Sequence, residues 1–358
     1  MVPARYLVPA EAGLIALDWG TSALRAFHMG AHGEVLETRH RPWGIMNLPP
    51  ATASVADGEP GAAFERALQD TCGDWLAATP GLPLLACGMV GSAQGWREAK
   101  YLPTPTSLDA LARGLTLVAR RDGPPLHIVP GLLQQGALPN VMRGEETQVL
   151  GVLAGLALPA DAPVLIGLPG THSKWVLARR GRIEQFHTFM TGEVFAALRG
   201  HTILGKTMQA AAAPDDDAFA RGLKVARGSD AALGLLSHIF STRTLGLTGA
   251  LAPTAQADYL SGLLIGHEVA SLSRAQDQTP TTPQTLVLCG EPDLCRRYAV
   301  ALQTYGFAAP TIATQATATG LWQIALAAGL VVAPAPSSSH PFLSLIHISE
   351  PTRPERIS

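Results

Sequence analysis

The stretch "GLIALDWGTSALRAF" at residues 13–27 limits most severely what this chain can fold into. An apolar run, Leu14 to Leu17, ends in Asp18 and a cluster of small polar residues, and apolar character resumes at Leu24. A short apolar run bounded by glycines reads as a buried strand. "ALRAFHMGAHGEVLETRH" then supplies a second strand, a turn at Gly30 to Gly33 and a third strand. Two strands joined by "DWGTS" form a hairpin with a tight polar tip. Neither GxxxxGK[ST] nor GxGxxG occurs there, so the phosphate loops that open a helix are excluded.

The same grammar returns at residues 162–193, "APVLIGLPGTHSKWVLARRGRIEQFHTFMTGE". An apolar strand meets a Gly-Thr-His-Ser tip, a strand, a turn at Gly181 and a further strand. Helical spacing marks 61–79, 144–158, the stretches "VFAALRG", "DAFARGLKVA" and "QADYLSGLLIGHEVASLSRA", and the closing segment 319–331. Apolar strands are expected within 83–92, at 127–132 and at the start of 284–306. Strands and helices alternating through two similar halves predict an α/β protein of two domains, 13–155 and 156–331. A flexible tail is expected at 332–358. Within it "LSLIHISEPTR" (343–353) matches one reading frame of a transposon-based sequencing adapter, so 343–358 is read as an assembly artefact.

Composition narrows the function classes. Hydrophobic residues are 47% of the chain and charged residues 15%, which suits a well-packed enzyme-like protein. A net charge of -2 gives no bulk attraction to nucleic acid or to an anionic membrane. Cys72, Cys87, Cys289 and Cys295 form no CxxC pair and read as reduced core thiols. The N-terminus shows no signal-peptide pattern, and no run reaches about 18 apolar residues. The expected compartment is the cytoplasm, with no membrane partner; the oligomeric state stays open.

The tips carry candidate chemistry. Gly20 permits close backbone approach, and the N–H groups and hydroxyls of Thr21 and Ser22 can cradle phosphate oxygens. Asp18 repels a bare phosphate, so beside one it implies a cation, and Mg²⁺ shared with a nucleotide is the economical choice. Arg25 can add positive charge to a transferring group. An ordinary polar turn with Asp18 as turn former is the alternative. The second tip offers Gly170, Thr171, Ser173 and Lys174 for phosphates across a cleft. His172 beside them reads as structural, and Lys174 equally as a solvated strand charge. Glu145 and Glu146 at a helix start, beside Arg143, can include a general base or can merely complement the helix dipole. The loop 87–105, with Trp96, Arg97, Lys100 and Tyr101, suits a carboxylated sugar or is a solvated surface loop.

Taken together, "ALDWGTSALRAF", "GMVGSAQGW", "NVMRGEETQ", "PGTHSKWV", "MTGE", "LSGLLIGHEVAS" and "LVLCGEPDL" resemble the 2-dehydro-3-deoxygalactonokinase family over about residues 13–330. That resemblance implies two ribonuclease-H-like domains of the sugar kinase and actin ATPase superfamily, with a nucleotide cleft between them. It implies ATP-dependent phosphorylation of the 6-hydroxyl of 2-dehydro-3-deoxy-D-galactonate in D-galactonate breakdown, with ATP and Mg²⁺. It further implies a first phosphate loop at 17–25, a second at 169–174 and an adenosine loop at 288–292 containing Gly290 and Glu291. Asp18 becomes the Mg²⁺ partner, Glu145 or Glu146 the base, and Arg97, Lys100 or Arg143 the holder of the substrate carboxylate. A kinase for another sugar acid, such as the gluconate epimer, is the neighbouring reading. A non-catalytic nucleotide sensor of the same fold would need an output module.

Overall fold

In the computed structural model, residues 12–50, 61–157, 159, 161–228, 233–277, 283 and 285–332 are described. The expected tail beyond Val332, with its adapter-like end, lies outside them. By contact the chain forms two units. Unit 1 takes in the described parts of Met1–Ala160, Arg179–Gln185 and Thr314–His347, and unit 2 those of Asp161–Ala178 and Phe186–Ala313.

Unit 1 opens as expected, with β1 (Ala12–Trp19), β2 (Leu24–Gly30) and β3 (Val35–Arg41). Helix α1 (Ala62–Ala78) precedes β4 (Leu84–Cys87), which runs into the glycine loop. Short elements that the sequence pattern did not announce follow: β5 (Tyr101–Pro103), β6 (Thr106–Ser107), α2 (Leu108–Arg113) and β7 (Thr116–Val118). Then come β8 (Leu126–Ile128), β9 (Gly131–Gln134), β10 (Asn140–Met142) and α3 (Glu145–Ala154). The main sheet has the order β3-β2-β1-β4-β8-β7. Strand β1 is antiparallel to β2 and parallel to β4.

Unit 2 repeats this plan. Its sheet is built from β11 (Val164–Leu168), β12 (Ser173–Arg179), β13 (Arg182–Phe189), β14 (Thr285–Cys289) and β15 (Thr311–Ala313), although the far end of the β12–β13 hairpin, Arg179–Gln185, groups by contact with unit 1. The strands run in the order β13-β12-β11-β14-β15, matching β3-β2-β1-β4-β8 of unit 1. Strand β11 is again antiparallel to its hairpin partner and parallel to the strand on its other side. The helices are α4 (Thr191–His201), α5 (Asp216–Arg227), α6 (Gly234–His238), α7 (Ser241–Leu247), α8 (Gln256–Asp277) and α9 (Pro292–Thr304). Leu165, Trp175, Leu286 and Leu288 of the sheet pack against Ile265 and Val269 of α8 and Tyr298 and Leu302 of α9.

The closing helix, α10 (Ala316–Ala327), departs from the expected division. The sequence pattern assigned 319–331 to the second domain; by contact it belongs to unit 1. It lies along α3 and touches β1. The approach is backbone to backbone: a Cβ on Gly151 would stand 1.9 Å from the Ala316 carbonyl oxygen, and one on Gly320 1.9 Å from that of Thr147. This explains why β1 is apolar at every position from Leu14 to Leu17, all fully buried. Ile15 and Leu17 face Phe64, Leu68 and Trp75 of α1, while the other face of β1 meets α10.

Candidate active site

The turn that ends β1 is closed by the Gly20 N–H donating to the Ala23 carbonyl at 2.9 Å, and it leaves Thr21 and Ser22 exposed. Hairpin register sets Asp18 opposite Arg25. The Arg25 Nη2 donates to Asp18 Oδ2 at 2.6 Å and to Thr317 Oγ1 of α10 at 3.2 Å. Thr317 Oγ1 also accepts from Gln148 Nε2 of α3 at 3.3 Å. The arginine is thus aimed by the strand it pairs with and by a helix from the far end of the chain.

Two glycines bring the neighbouring segments together. Gly88 (φ 93°) follows β4 and Gly144 (φ 106°) caps α3, both in the left-handed region. A Cβ on Gly144 would lie 3.2 Å from Gly88 Cα, and one on Gly88 would lie 2.8 Å from the Trp19 carbonyl oxygen. The ends of β1 and β4 and the start of α3 therefore converge. There the Gly144 N–H donates to Glu146 Oε2 at 2.7 Å and the Thr147 hydroxyl to Glu146 Oε1 at 3.1 Å. The Arg143 N–H donates to Glu145 Oε2 at 3.0 Å. Glu146 is fully buried; burial first, and then the charge of Glu145, push its carboxyl up to about 7. Burial, followed by the charges of Asp18 and Glu146, drives the Cys87 thiol well above its ordinary value, and the β1–β4 register pairs Asp18 with Cys87. None of the four cysteines is in a disulfide and all four are buried, as expected of core thiols.

The candidate anion holders separate. Arg143 is 9% exposed, donates from Nη2 to the Ala99 carbonyl at 2.8 Å and lies 4.4 Å from the Tyr101 ring centre. Its Nε and Nη1 are buried without a partner among the described residues. Arg97 and Lys100 are exposed on the loop. Trp96 is not an open loop residue: its ring stacks on Phe64 at 5.7 Å and meets Trp19 edge-on at 6.1 Å. It finishes the core of unit 1, because the aromatic face that suggested sugar contact is engaged there.

In unit 2 the tip after β11 lies beside the turn after β14. A Cβ on Gly290 would stand 3.1 Å from the Pro169 carbonyl oxygen. Gly170 and Glu291 line one cavity of about 280 Å³ with Thr191, Gly192 and Phe195 of α4, Ser261, Leu264 and Ile265 of α8, and Arg297 and Tyr298 of α9. Glu291 caps α9, accepting from the N–H groups of Asp293 at 3.1 Å and Leu294 at 2.8 Å. Thr171 is exposed, and His172 pairs with Glu193, the structural role read for it. Ser173 turns inward: its hydroxyl meets the Tyr298 hydroxyl at 2.9 Å, so it faces the core of unit 2 rather than a phosphate. Lys174 is 4% exposed, which removes the solvated-charge alternative.

Sequence reasoning missed Thr317 and Gln148, whose partnership with Arg25 needs a contact across the whole chain, and Ser261 and Arg297. It also missed Glu268, although a lone acid inside the apolar helix "LLIGHEVASL" is a readable signal. Among the described residues, no group of three or more His, Cys, Asp or Glu side chains could hold a metal ion. A partly exposed carboxylate beside exposed hydroxyls fits Mg²⁺ that arrives with nucleotide phosphates, since Mg²⁺ usually takes one or two carboxylates and keeps phosphates and waters as its other ligands.

A family model described as 2-keto-3-deoxy-galactonokinase matches residues 18–324. The 2-dehydro-3-deoxygalactonokinase of Escherichia coli (strain K12) is 35% identical over 297 residues, covering 82% of this chain and 90% of that one. DgoK1 of Rhizobium meliloti (strain 1021) is 35% identical over 298 residues, covering 81% and 89%. A crystal structure from Sinorhizobium meliloti, described under the same kinase name, gives a TM-score of 0.71 at 33% identity over 88% of this chain and 98% of that chain. With that likeness, the repeated strand order is that of the two ribonuclease-H-like units of actin-like ATPases and sugar kinases. The chain belongs to the 2-keto-3-deoxy-galactonokinase family.

Proposed function

We propose that this carbohydrate kinase acts in the cytoplasm and transfers the γ-phosphoryl group of ATP to the 6-hydroxyl of 2-dehydro-3-deoxy-D-galactonate. The products are ADP and 2-dehydro-3-deoxy-6-phospho-D-galactonate, in D-galactonate catabolism. The observation that carries the reading is the convergence of Asp18, Arg25, Glu145 and Glu146 where β1, β4 and α3 meet.

Glu145 is the general base. It is half-buried and so can reach a hydroxyl, whereas Glu146 is fully enclosed by its own donors. Glu145 takes the proton of the 6-hydroxyl as that oxygen bonds to the γ-phosphorus and the bond to the ADP oxygen breaks. Arg25, held by Asp18 and Thr317, spreads positive charge over the moving phosphoryl group. Asp18 would hold Mg²⁺, which neutralises phosphate charge when bound. Thr21 and Ser22 contact phosphate oxygens, the Gly20 N–H being spent on closing the turn to the Ala23 carbonyl. Arg143 binds the substrate carboxylate through Nε and Nη1, the two donors without a partner among the described residues. The cavity bounded by Gly170 and Glu291 takes the adenosine.

A coupled ADP-release assay tests this. Mg-ATP is supplied in parallel with 2-dehydro-3-deoxygalactonate, its gluconate epimer and unoxidised galactonate. Selective turnover of the first is expected, and equal or absent turnover overturns the substrate assignment.

A further inference from the structure

Helix α8 carries a carboxylate that the transfer chemistry leaves unused. Glu268 is 3% exposed, and among the described residues its hydrogen-bond donors are neutral. The Trp175 indole N–H donates to its Oε1 at 2.7 Å and the Tyr298 hydroxyl to its Oε2 at 2.7 Å. Thr191 also lends it a hydrogen bond, although burial still outweighs its donors and raises its carboxyl above the ordinary range. One side chain thus ties β12, α4 and α9 to α8.

Its partners decide what the network does. Thr191 and Tyr298 are themselves walls of the 280 Å³ cavity. Leu264 and Ile265, four and three residues before Glu268 on the same helix face, are walls as well. The carboxylate therefore sits directly behind the surface that a ligand would touch. A leucine could occupy much of its volume, but the Trp175 N–H and the Tyr298 hydroxyl would lose their acceptor.

We propose that Glu268 is a positioning residue for the nucleotide, fixing Thr191 and Tyr298 so that the cavity of unit 2 is already shaped for a nucleoside diphosphate. This rests on the reading of that cavity as the adenosine site. The carboxylate touches no substrate. Its effect passes through the two hydroxyls it holds, and preorganisation of this kind strengthens binding without adding a contact.

The test is calorimetric titration of ADP into the wild-type chain, E268Q and E268L, with steady-state kinetics alongside. Glutamine keeps an acceptor for Trp175 and can donate to Tyr298, so E268Q should bind ADP within about threefold of wild type. E268L should weaken ADP binding about tenfold or more, raise the KM for ATP in step and leave the KM for the sugar acid unchanged. No ADP binding by the wild-type chain overturns the cavity assignment and this proposal with it. Wild-type binding that a folded E268L retains overturns the proposal alone, as does an equal rise in both KM values. If E268L does not fold, Tyr298→Phe removes the hydroxyl link and keeps the ring; a severalfold loss of ADP affinity is expected, and unchanged affinity overturns the proposal.

Discussion

Replacing Glu146 by glutamine should remove a pH dependence from the stability of unit 1. Its carboxyl is raised from 4.5 to about 7, burial being the larger cause and the charge of Glu145 the second. A carboxyl raised in the folded state holds its proton more tightly there than in the unfolded chain. Its stabilising contribution is fully present below 4.5 and is lost as pH rises through about 7. Between about pH 5 and about pH 8 the wild-type chain should lose roughly 2–3 kcal/mol relative to E146Q. The amide sacrifices one of the two bonds accepted from Gly144 and Thr147, a constant offset of about 1 kcal/mol. The slope with pH is therefore the test, not the absolute difference. Urea unfolding followed by tryptophan fluorescence reads it. Of the six tryptophans, Trp19, Trp43, Trp75, Trp96 and Trp322 belong to unit 1, so the signal reports mainly that unit. A gap between variant and wild type that stays flat across this pH range refutes the argument.

Alanine at Glu145 should lower kcat by about 10²- to 10⁴-fold with ADP affinity unchanged, and wild-type turnover would remove it as the base. Arg143→Met should raise the KM for the sugar acid by about tenfold to a hundredfold while the KM for ATP stays put; a shift in the ATP value instead would assign Arg143 to the wrong ligand. Gly144→Ala forces a side chain onto φ 106° against Gly88, so a lower melting temperature and reduced kcat are expected together. Cys72 and Cys295 are pushed up to about 12 by burial, so a thiol reagent should label neither in the native protein and both in urea.

Much of this architecture was legible because burial writes itself into composition. The run Leu14–Leu17, apolar without alternation, announced a strand covered on both faces, and the small polar residues after it announced a turn carrying exposed hydroxyls. The glycine before "EETQ" and the acids after it placed a helix start correctly. What stayed hidden depends on direction or distance. Ser173 and Thr171 are both hydroxyls near one tip, yet Ser173 opens β12 and faces the core while Thr171 lies in the turn before it, in solvent. Trp96 in a glycine loop read as exposed, because nothing local reveals that Phe64 and Trp19 wait for its ring. The three-residue strands β5, β7 and β10 are too short for any period to register.

The return of α10 has a consequence for how the protein is made. Unit 1 begins at the first strand, but its helix pair and the brace on Arg25 are completed only by residues 316–327. On a ribosome adding about 5–20 residues per second, the hairpin bearing Asp18 emerges early and waits for nearly the whole chain. Unit 2, whose described residues end at Ala313, can reach its own packing first. A chain stopped before Thr314 would lack the helix that packs along α3 and touches β1, and would leave Arg25 without Thr317. The brace on Arg25 is thus withheld from incomplete chains by the order of synthesis itself.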